Sequence, residues 1–436
     1  MLGYYVDLAW RSLKRTPILT ALMVLAIGLG IGASMTMITV LHVMSGDPAP
    51  GLSSKLFVPM LDPRPVLEPG EKQYGINGTP DGFTWPDALN LLQASRADRQ
   101  VVMAQGVVSV RPRRADLHPF FVHSEYATSQ FFAMFGVPFR AGGGWTAGQD
   151  RERARVVVLN SKLDHKLFGN ATGIGRTVRL HNTDFRVIGV LDDWNPQPIF
   201  YHQARHGVYG ERDQVFMPLQ TAMELKYPIN GHFSCWGDGN DSYESPDCTW
   251  AQFWVELDDP VKVLAYQRFL DGYLGAQHAH GRFPRDARPR LFGMMDWLMH
   301  EDLIPGNLKM QMWLAIGFLI VCMLSVVALL LAKFLRRSGE ISVRRALGAR
   351  RRDIFTQFGI ESAAIGAAGG LLGLAVAELG LWSVRHGPGG YATLATMDLP
   401  MVVGTVVLAI VASLLAGLLP AWRACLVQPA LQLKVQ

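Results

Sequence analysis

Cys235 and Cys248 close a polar, turn-rich loop, Cys-Trp-Gly-Asp-Gly-Asn-Asp-Ser-Tyr-Glu-Ser-Pro-Asp-Cys. Three chemistries compete for it. A disulfide requires only an oxidising compartment and would stabilise by about 3 kcal/mol if unstrained. Zinc gains a third ligand from His232 but no fourth at regular spacing. Calcium would find Asp238, Asn240, Asp241 and Glu244, yet the glycine and glutamate positions of an EF-hand loop are wrong. A Cys235–Cys248 disulfide is the favoured reading, and no metal is expected.

Nothing else has the spacing of an active site. There is no Gly-x-Ser-x-Gly elbow, no His-Glu-x-x-His and no Walker phosphate loop. Gly142-Gly143-Gly144 has no Lys-Ser/Thr behind it, and Gly169-Asn-Ala-Thr-Gly173-Ile-Gly175 lacks a preceding dinucleotide pattern. His118, His123 and His165 are scattered, as surface or structural histidines are. The chain is expected to be non-catalytic, with no cofactor of its own.

The densest charge falls in Ser338-Gly-Glu-Ile-Ser-Val-Arg-Arg-Ala-Leu-Gly-Ala-Arg-Arg-Arg-Asp-Ile354. Glu340 precedes Arg344 by one helical turn, the favourable order for an ion pair. Ile341, Ala346 and Leu347 share a face, Gly348 breaks the segment, and Ile354, Phe355 and Phe358 then turn toward apolar surroundings. A basic loop beside a bilayer also serves as an orientation signal and a contact for anionic lipid. An apolar face and a central glycine go beyond that need, and point to an elbow that docks into another protein. Glu340, Ile341, Arg344, Arg345, Leu347 and Gly348 are the expected coupling residues. Arg350, Arg351 and Arg352 fit coupling and lipid contact equally.

Four apolar windows must position this elbow: 18–43, 312–332, 357–384 and 401–419. Each meets the roughly 20 residues that a spanning helix requires. Four transmembrane helices are expected, the first as a retained signal anchor. Lys and Arg crowd before the first helix (Arg11, Lys14, Arg15) and between the second and third, whereas only Arg385 lies between the third and fourth. The positive-inside rule places both termini and the elbow in the cytoplasm. The expected partition is an amphipathic N-terminus (1–17), first span (18–44), outer domain (45–309), second span (310–333), elbow (334–355), third span (356–384), external loop (385–399), fourth span (400–420) and cytoplasmic tail (421–436). Gly28 and Gly32 on the first helix, and Gly366, Gly370 and Gly373 on the third, have the spacing that lets helix backbones approach closely. Glu361 and Glu378 fall near opposite ends of the third helix, where interfacial water would solvate them, and no midplane charge suggests ion coupling.

The outer segment, residues 46–309, holds 27 Lys/Arg against 30 Asp/Glu, so the chain's net +5 comes from its membrane-flanking ends. That pattern reflects topology and does not suggest nucleic acid as a partner. The domain reads as mixed α+β. A helix starts at Thr84-Trp-Pro-Asp87; strands run over 101–110, 156–159 and 250–257; a hairpin joins 177–180 to 185–190; and 261–274 has helical periodicity.

With these residues in view, the elbow resembles the cytoplasmic segment of MacB/FtsX-type ABC transporter permeases, departing at Ser342, where the family commonly has Gly. The outer part is similar to the MacB-like periplasmic core domain through Phe131-Phe132, Phe135-Gly136-Val137, Val156–Leu159, Phe168-Gly169, Ile174–Thr177, Phe185–Gly189 and Val215–Pro218, in family order. Gly417-Leu-Leu-Pro-Ala421 also fits, whereas Trp422, Gln428 and Leu431 replace residues usually charged. The resemblance implies a permease subunit of a bacterial inner-membrane ABC exporter with its large domain in the periplasm. It further implies a dimer with a second copy or paralogue, a separate cytoplasmic ATPase carrying ATP and Mg, contact with membrane lipids, and a periplasmic adaptor with an outer-membrane channel. The alternatives are an FtsX-like regulator of a cell-wall hydrolase without cargo, favoured less by the large outer domain, and a membrane sensor.

Overall fold

A computed structural model describes residues 14–66, 82–114, 116–201, 212–231, 233–236, 242–284, 288–301, 307–336, 351–386, 397 and 399–426. It divides into an outer unit, Gly46–Pro305, and a helical unit formed by the flanking segments.

In the outer unit, runs of β-branched and aromatic residues form one sheet of 13 strands. In chain order these are β1 (Leu56–Met60), β2 (Phe83–Thr84), β3 (Arg99–Arg111), β4 (Phe120–Ala127), β5 (Phe139–Gly142), β6 (Val156–Leu159) and β7 (Thr177–Leu180). There follow β8 (Thr183–Leu191), β9 (Val215–Pro218), β10 (Ile229–Asn230), β11 (Ser234–Cys235), β12 (Cys248–Glu256) and β13 (Arg290–Gly293). The principal order is β13-β1-β12-β3-β4-β9-β6-β8-β5. β4 runs parallel to β9 and β6 parallel to β8, so the sheet is mixed. β12 lies between β1 and β3 and is buried along its whole length, which explains apolar residues on both of its faces rather than simple alternation. β7 and β8 form the expected hairpin, turning at His181 with φ 49°. On β3, Gly106 is required by its neighbour: a β-carbon there would stand 2.1 Å from the Tyr126 hydroxyl.

The helix Trp85–Ala94 starts where Thr84 caps it. The Thr84 hydroxyl oxygen accepts from the Asp87 amide at 3.3 Å, and Pro86 occupies the first turn. Asp87 is fully buried and also receives two guanidinium hydrogen bonds from Arg282 (2.9 and 2.7 Å) and one from the Tyr273 hydroxyl (2.6 Å). The helix Pro260–Ala279 is capped in turn by Asp259, 2.7 Å from the Val261 amide. An aromatic group fills part of the interior: Phe131 meets Phe132, Phe135, Tyr201 and Phe216 at ring separations of 5.4, 5.0, 5.5 and 5.7 Å.

The helical unit comprises Pro17–Ser45, Asn307–Arg336, Arg351–Arg385 and Leu399–Leu426, here the first to fourth long helices. Among the described residues three stretches are long and apolar enough to cross a membrane: Pro17–Leu41, Met310–Lys333 and Arg352–Arg385. The fourth helix carries a shorter apolar stretch, Met401–Gly417. Small residues govern the packing. Added β-carbons at Gly28 and Gly32 would stand 2.8 Å from Leu372 and 2.6 Å from Val376 of the third helix. At Gly366 and Gly370 they would stand 2.9 Å from the Ala409 carbonyl oxygen and Ala409 Cβ of the fourth. Gly373 faces the Gly28 carbonyl oxygen across the first interface. In lipid, which offers no hydrophobic drive between helices, such contacts supply the attraction. Leu22, Leu25, Leu29, Trp313, Leu314 and Leu324 point outward and are exposed, as lipid-facing residues would be.

Candidate coupling site

Arg336 ends the second long helix and Arg351 begins the third, so these two helices are the rods on either side of the basic elbow. Glu340, Ile341, Arg344, Arg345, Leu347, Gly348 and Arg350 lie outside the described residues. Arg351 is the first residue of the third helix, and Asp353 stands in its first turn, where a carboxylate favours the helix dipole. Beyond the elbow, Ile354 and Phe358 are buried in the helical core with Met23 and Leu330, while Phe355 faces outward at 40% exposure.

A buried ion pair joins the two helices that flank the elbow in sequence. Lys333, in the last turn of the second helix, pairs through Nζ with Oε1 of Glu361 on the third; their side chains are 1% and 0% exposed. This corrects the expectation of interfacial solvation for Glu361. Ten residues into its helix, it stands about 15 Å from the helix start along the axis. There it is covered by neighbouring helices, and a charge so placed requires a partner. Glu378 is exposed and pairs with Arg385. The fourth helix joins the same node. The Ser413 hydroxyl donates to the Ser362 carbonyl at 2.5 Å, and a β-carbon at Gly417 would fall 2.2 Å from Ser362 Oγ. Lys333, Glu361, Ser362, Ser413 and Gly417 thus tie three helices together. The sequence signal for this was present in an uncharged stretch ending at Lys333 and an acid inside an apolar helix, but their pairing depends on helix rotation.

In the outer unit, the structure joins Cys235 to Cys248 by a disulfide at a position where β11 and β12 pair the two residues directly. His232, Asp238, Asn240 and Asp241 lie outside the described residues, and Glu244 is exposed. Among the described residues no group of three or more His, Cys, Asp or Glu side chains is placed to hold a metal ion. Glu125 is fully buried, and burial together with the Asp213 carboxylate pushes its carboxyl well above the ordinary range. Asp150, which accepts from the Ser129 amide at 2.6 Å, is pushed up to about 6 chiefly by burial.

The profile of the MacB-like periplasmic core domain family matches residues 20–270, and that of the FtsX-like permease C-terminal family matches residues 312–429. This chain belongs to the MacB/FtsX-type ABC permeases. It is 27% identical over its full length to the macrolide export ATP-binding/permease protein MacB of Rhodospirillum rubrum, covering 60% of that protein. It is 24% identical over 97% of its length to the pyoverdine export ATP-binding/permease protein PvdT of Pseudomonas fluorescens, covering 58% of it. The chain therefore spans at most about three-fifths of these relatives. The crystal structure of the periplasmic region of MacB from Actinobacillus actinomycetemcomitans aligns with 56% of the chain at 15% identity and a TM-score of 0.36, covering 91% of that structure. As a MacB/FtsX-type permease, the protein is a membrane protein with a MacB-like periplasmic core domain and an FtsX-like C-terminal permease region.

Proposed function

We propose that this permease converts the motion of a separate cytoplasmic ABC ATPase into movement of its periplasmic domain, driving export or efflux. The observation that supports this best is the buried Lys333–Glu361 pair, which ties together the two helices that flank the elbow in sequence. A push on the elbow would then move the second and third helices as one body, and the glycine contacts to the first and fourth would spread that motion. In this reading the fourth helix also spans the membrane, both termini are cytoplasmic, and Glu340, Ile341, Arg344, Arg345, Leu347 and Gly348 receive the ATPase, with Arg350 and Arg351 at its margin. Two such subunits pair with two ATPase copies, and ATP and Mg bind only on the ATPase. A periplasmic adaptor and an outer-membrane channel would complete the route. The names of the relatives, macrolide and pyoverdine export, favour a cargo of the small-molecule class.

The test is Gly348→Pro in the complex reconstituted with its ATPase. Proline removes a backbone donor and fixes φ at the hinge. Insertion and ATP hydrolysis should persist while export is lost. Normal export by this variant would refute the elbow assignment.

A further inference from the structure

We infer that the outer unit carries a binding site for small amphipathic anions, meaning a carboxylate or phosphate ester on an apolar body. It lies between the end of β3, the turn that follows, the C-terminal end of the helix Ser161–Phe168 and the start of β7. The cavity measures about 460 Å³ and is lined by Arg111, Arg113, Arg114 and Arg176 around a floor that includes Leu167, Phe168 and Val178. Leu167 and Val178 are buried, so the floor is fixed by the core.

The charge is only partly neutralised locally. Arg114 is held by Asp116 in a two-point pair at 3.0 and 2.6 Å. Asp184 is taken by Arg179 at 2.7 and 3.2 Å, leaving Arg113 a distant 3.9 Å contact with the same carboxylate. Among the described residues, Arg111 and Arg176 have no carboxylate within ion-pair distance, although Asp164 is close enough to attract Arg176. The Arg176 guanidinium instead lies over the Phe168 ring, 5.4 Å from its centre, and Lys166 lies over Phe120 at 3.5 Å. Like charges gathered in a domain with more acids than bases repel one another, and an entering anion would relieve that repulsion. Guanidinium forks match carboxylate and phosphate oxygens, and a cavity of this size accepts a ligand of a few hundred daltons. The apolar floor selects against a bare oxyanion. This site stands independently of the elbow mechanism.

The test titrates phenyl phosphate into the full chain in uncharged phosphatidylcholine nanodiscs and follows binding by calorimetry. Inorganic phosphate and benzyl alcohol are the comparison probes. Phenyl phosphate should bind about tenfold more tightly than inorganic phosphate, and benzyl alcohol should not bind. The double variant R111Q/R176Q should weaken phenyl phosphate about tenfold or more, since each lost charged hydrogen bond is worth that much. R176K should fall between, having charge but no fork, and R268Q, an exposed arginine on another helix, should bind normally. Arg111 and Arg176 are both exposed, so the fold should survive; if the melting curve shifts, R111Q/R113Q replaces the double variant. Affinity within twofold of the unaltered chain, an equal loss in R268Q, or equal binding of benzyl alcohol or inorganic phosphate would overturn the proposal.

Discussion

Removing one member of the Lys333–Glu361 pair should be far more damaging than removing both. Both side chains are essentially unexposed, so Glu361→Gln removes the carboxylate that pairs with the buried Lys333 ammonium. Breaking a buried pair from one side typically costs about 3–5 kcal/mol, whereas replacing both partners with apolar groups of similar volume is neutral or stabilising by about 1–4 kcal/mol. The perturbation set is Glu361→Gln, Lys333→Met, and the double variant Lys333→Met with Glu361→Leu. Reversible unfolding in mixed micelles, titrated with an anionic detergent, gives the free energies and the coupling term of the double-mutant cycle. Each single variant should lose about 3 kcal/mol or more, and the double variant should recover most of it. Single losses below about 1 kcal/mol would place the pair in the class of exposed ion pairs and refute the burial argument. The same variants separate structure from coupling. If the pair transmits force, the double variant should fold well yet show weakened coupling between ATP hydrolysis and export.

The remaining expectations concern packing and pH. Gly32→Ala should cost about 1–3 kcal/mol, because the new carbon would stand 2.6 Å from Val376 and 2.9 Å from the Gly373 carbonyl oxygen. Gly404→Ala, with nothing within 4 Å in its helix, should be neutral or stabilising by up to about 1 kcal/mol; an equal loss in the two would count against the close-packing account. Asp150 rises from an ordinary 3.8 to about 6 in the fold, so its protonated form is the favoured one. Its contribution is fully present below pH 3.8 and is lost as pH rises through about 6. Stability of the unaltered chain relative to Asp150→Asn should therefore fall by about 3 kcal/mol between those limits. Unfolding at a series of pH values checks this, and a difference independent of pH would refute it.

Local features were legible in the sequence because their causes are local. The Thr84 cap, the hairpin at 177–190 and the glycine spacings each depend on residues a few positions apart. The features that were not legible depend on distant pairings. The sequence marks 250–257 as a strand, but not that β12 lies inside the sheet and is buried along its whole length. β4 carries His123, Ser124 and Glu125, a poor strand signal, yet it is held by eight register pairs with β3. Glu361 meets Lys333 because two helices turn the same faces inward, and a hydropathy window does not report that rotation. Arg111 and Arg176 are brought to one cavity by a strand pairing, β3 with β7, that no spacing reveals. The elbow stands out in the sequence because its charge, apolar face and glycine all lie in one short run.

The central claim is that the elbow transmits ATPase motion to the outer unit. It is tested most directly by a spin label at position 268 on each of two permease copies, in a Cys322→Ala, Cys425→Ser background assembled with the ATPase. The distance between labels should change on adding ATP, and Gly348→Pro should abolish that change while hydrolysis continues. An ATP-driven change that survives Gly348→Pro would contradict the account.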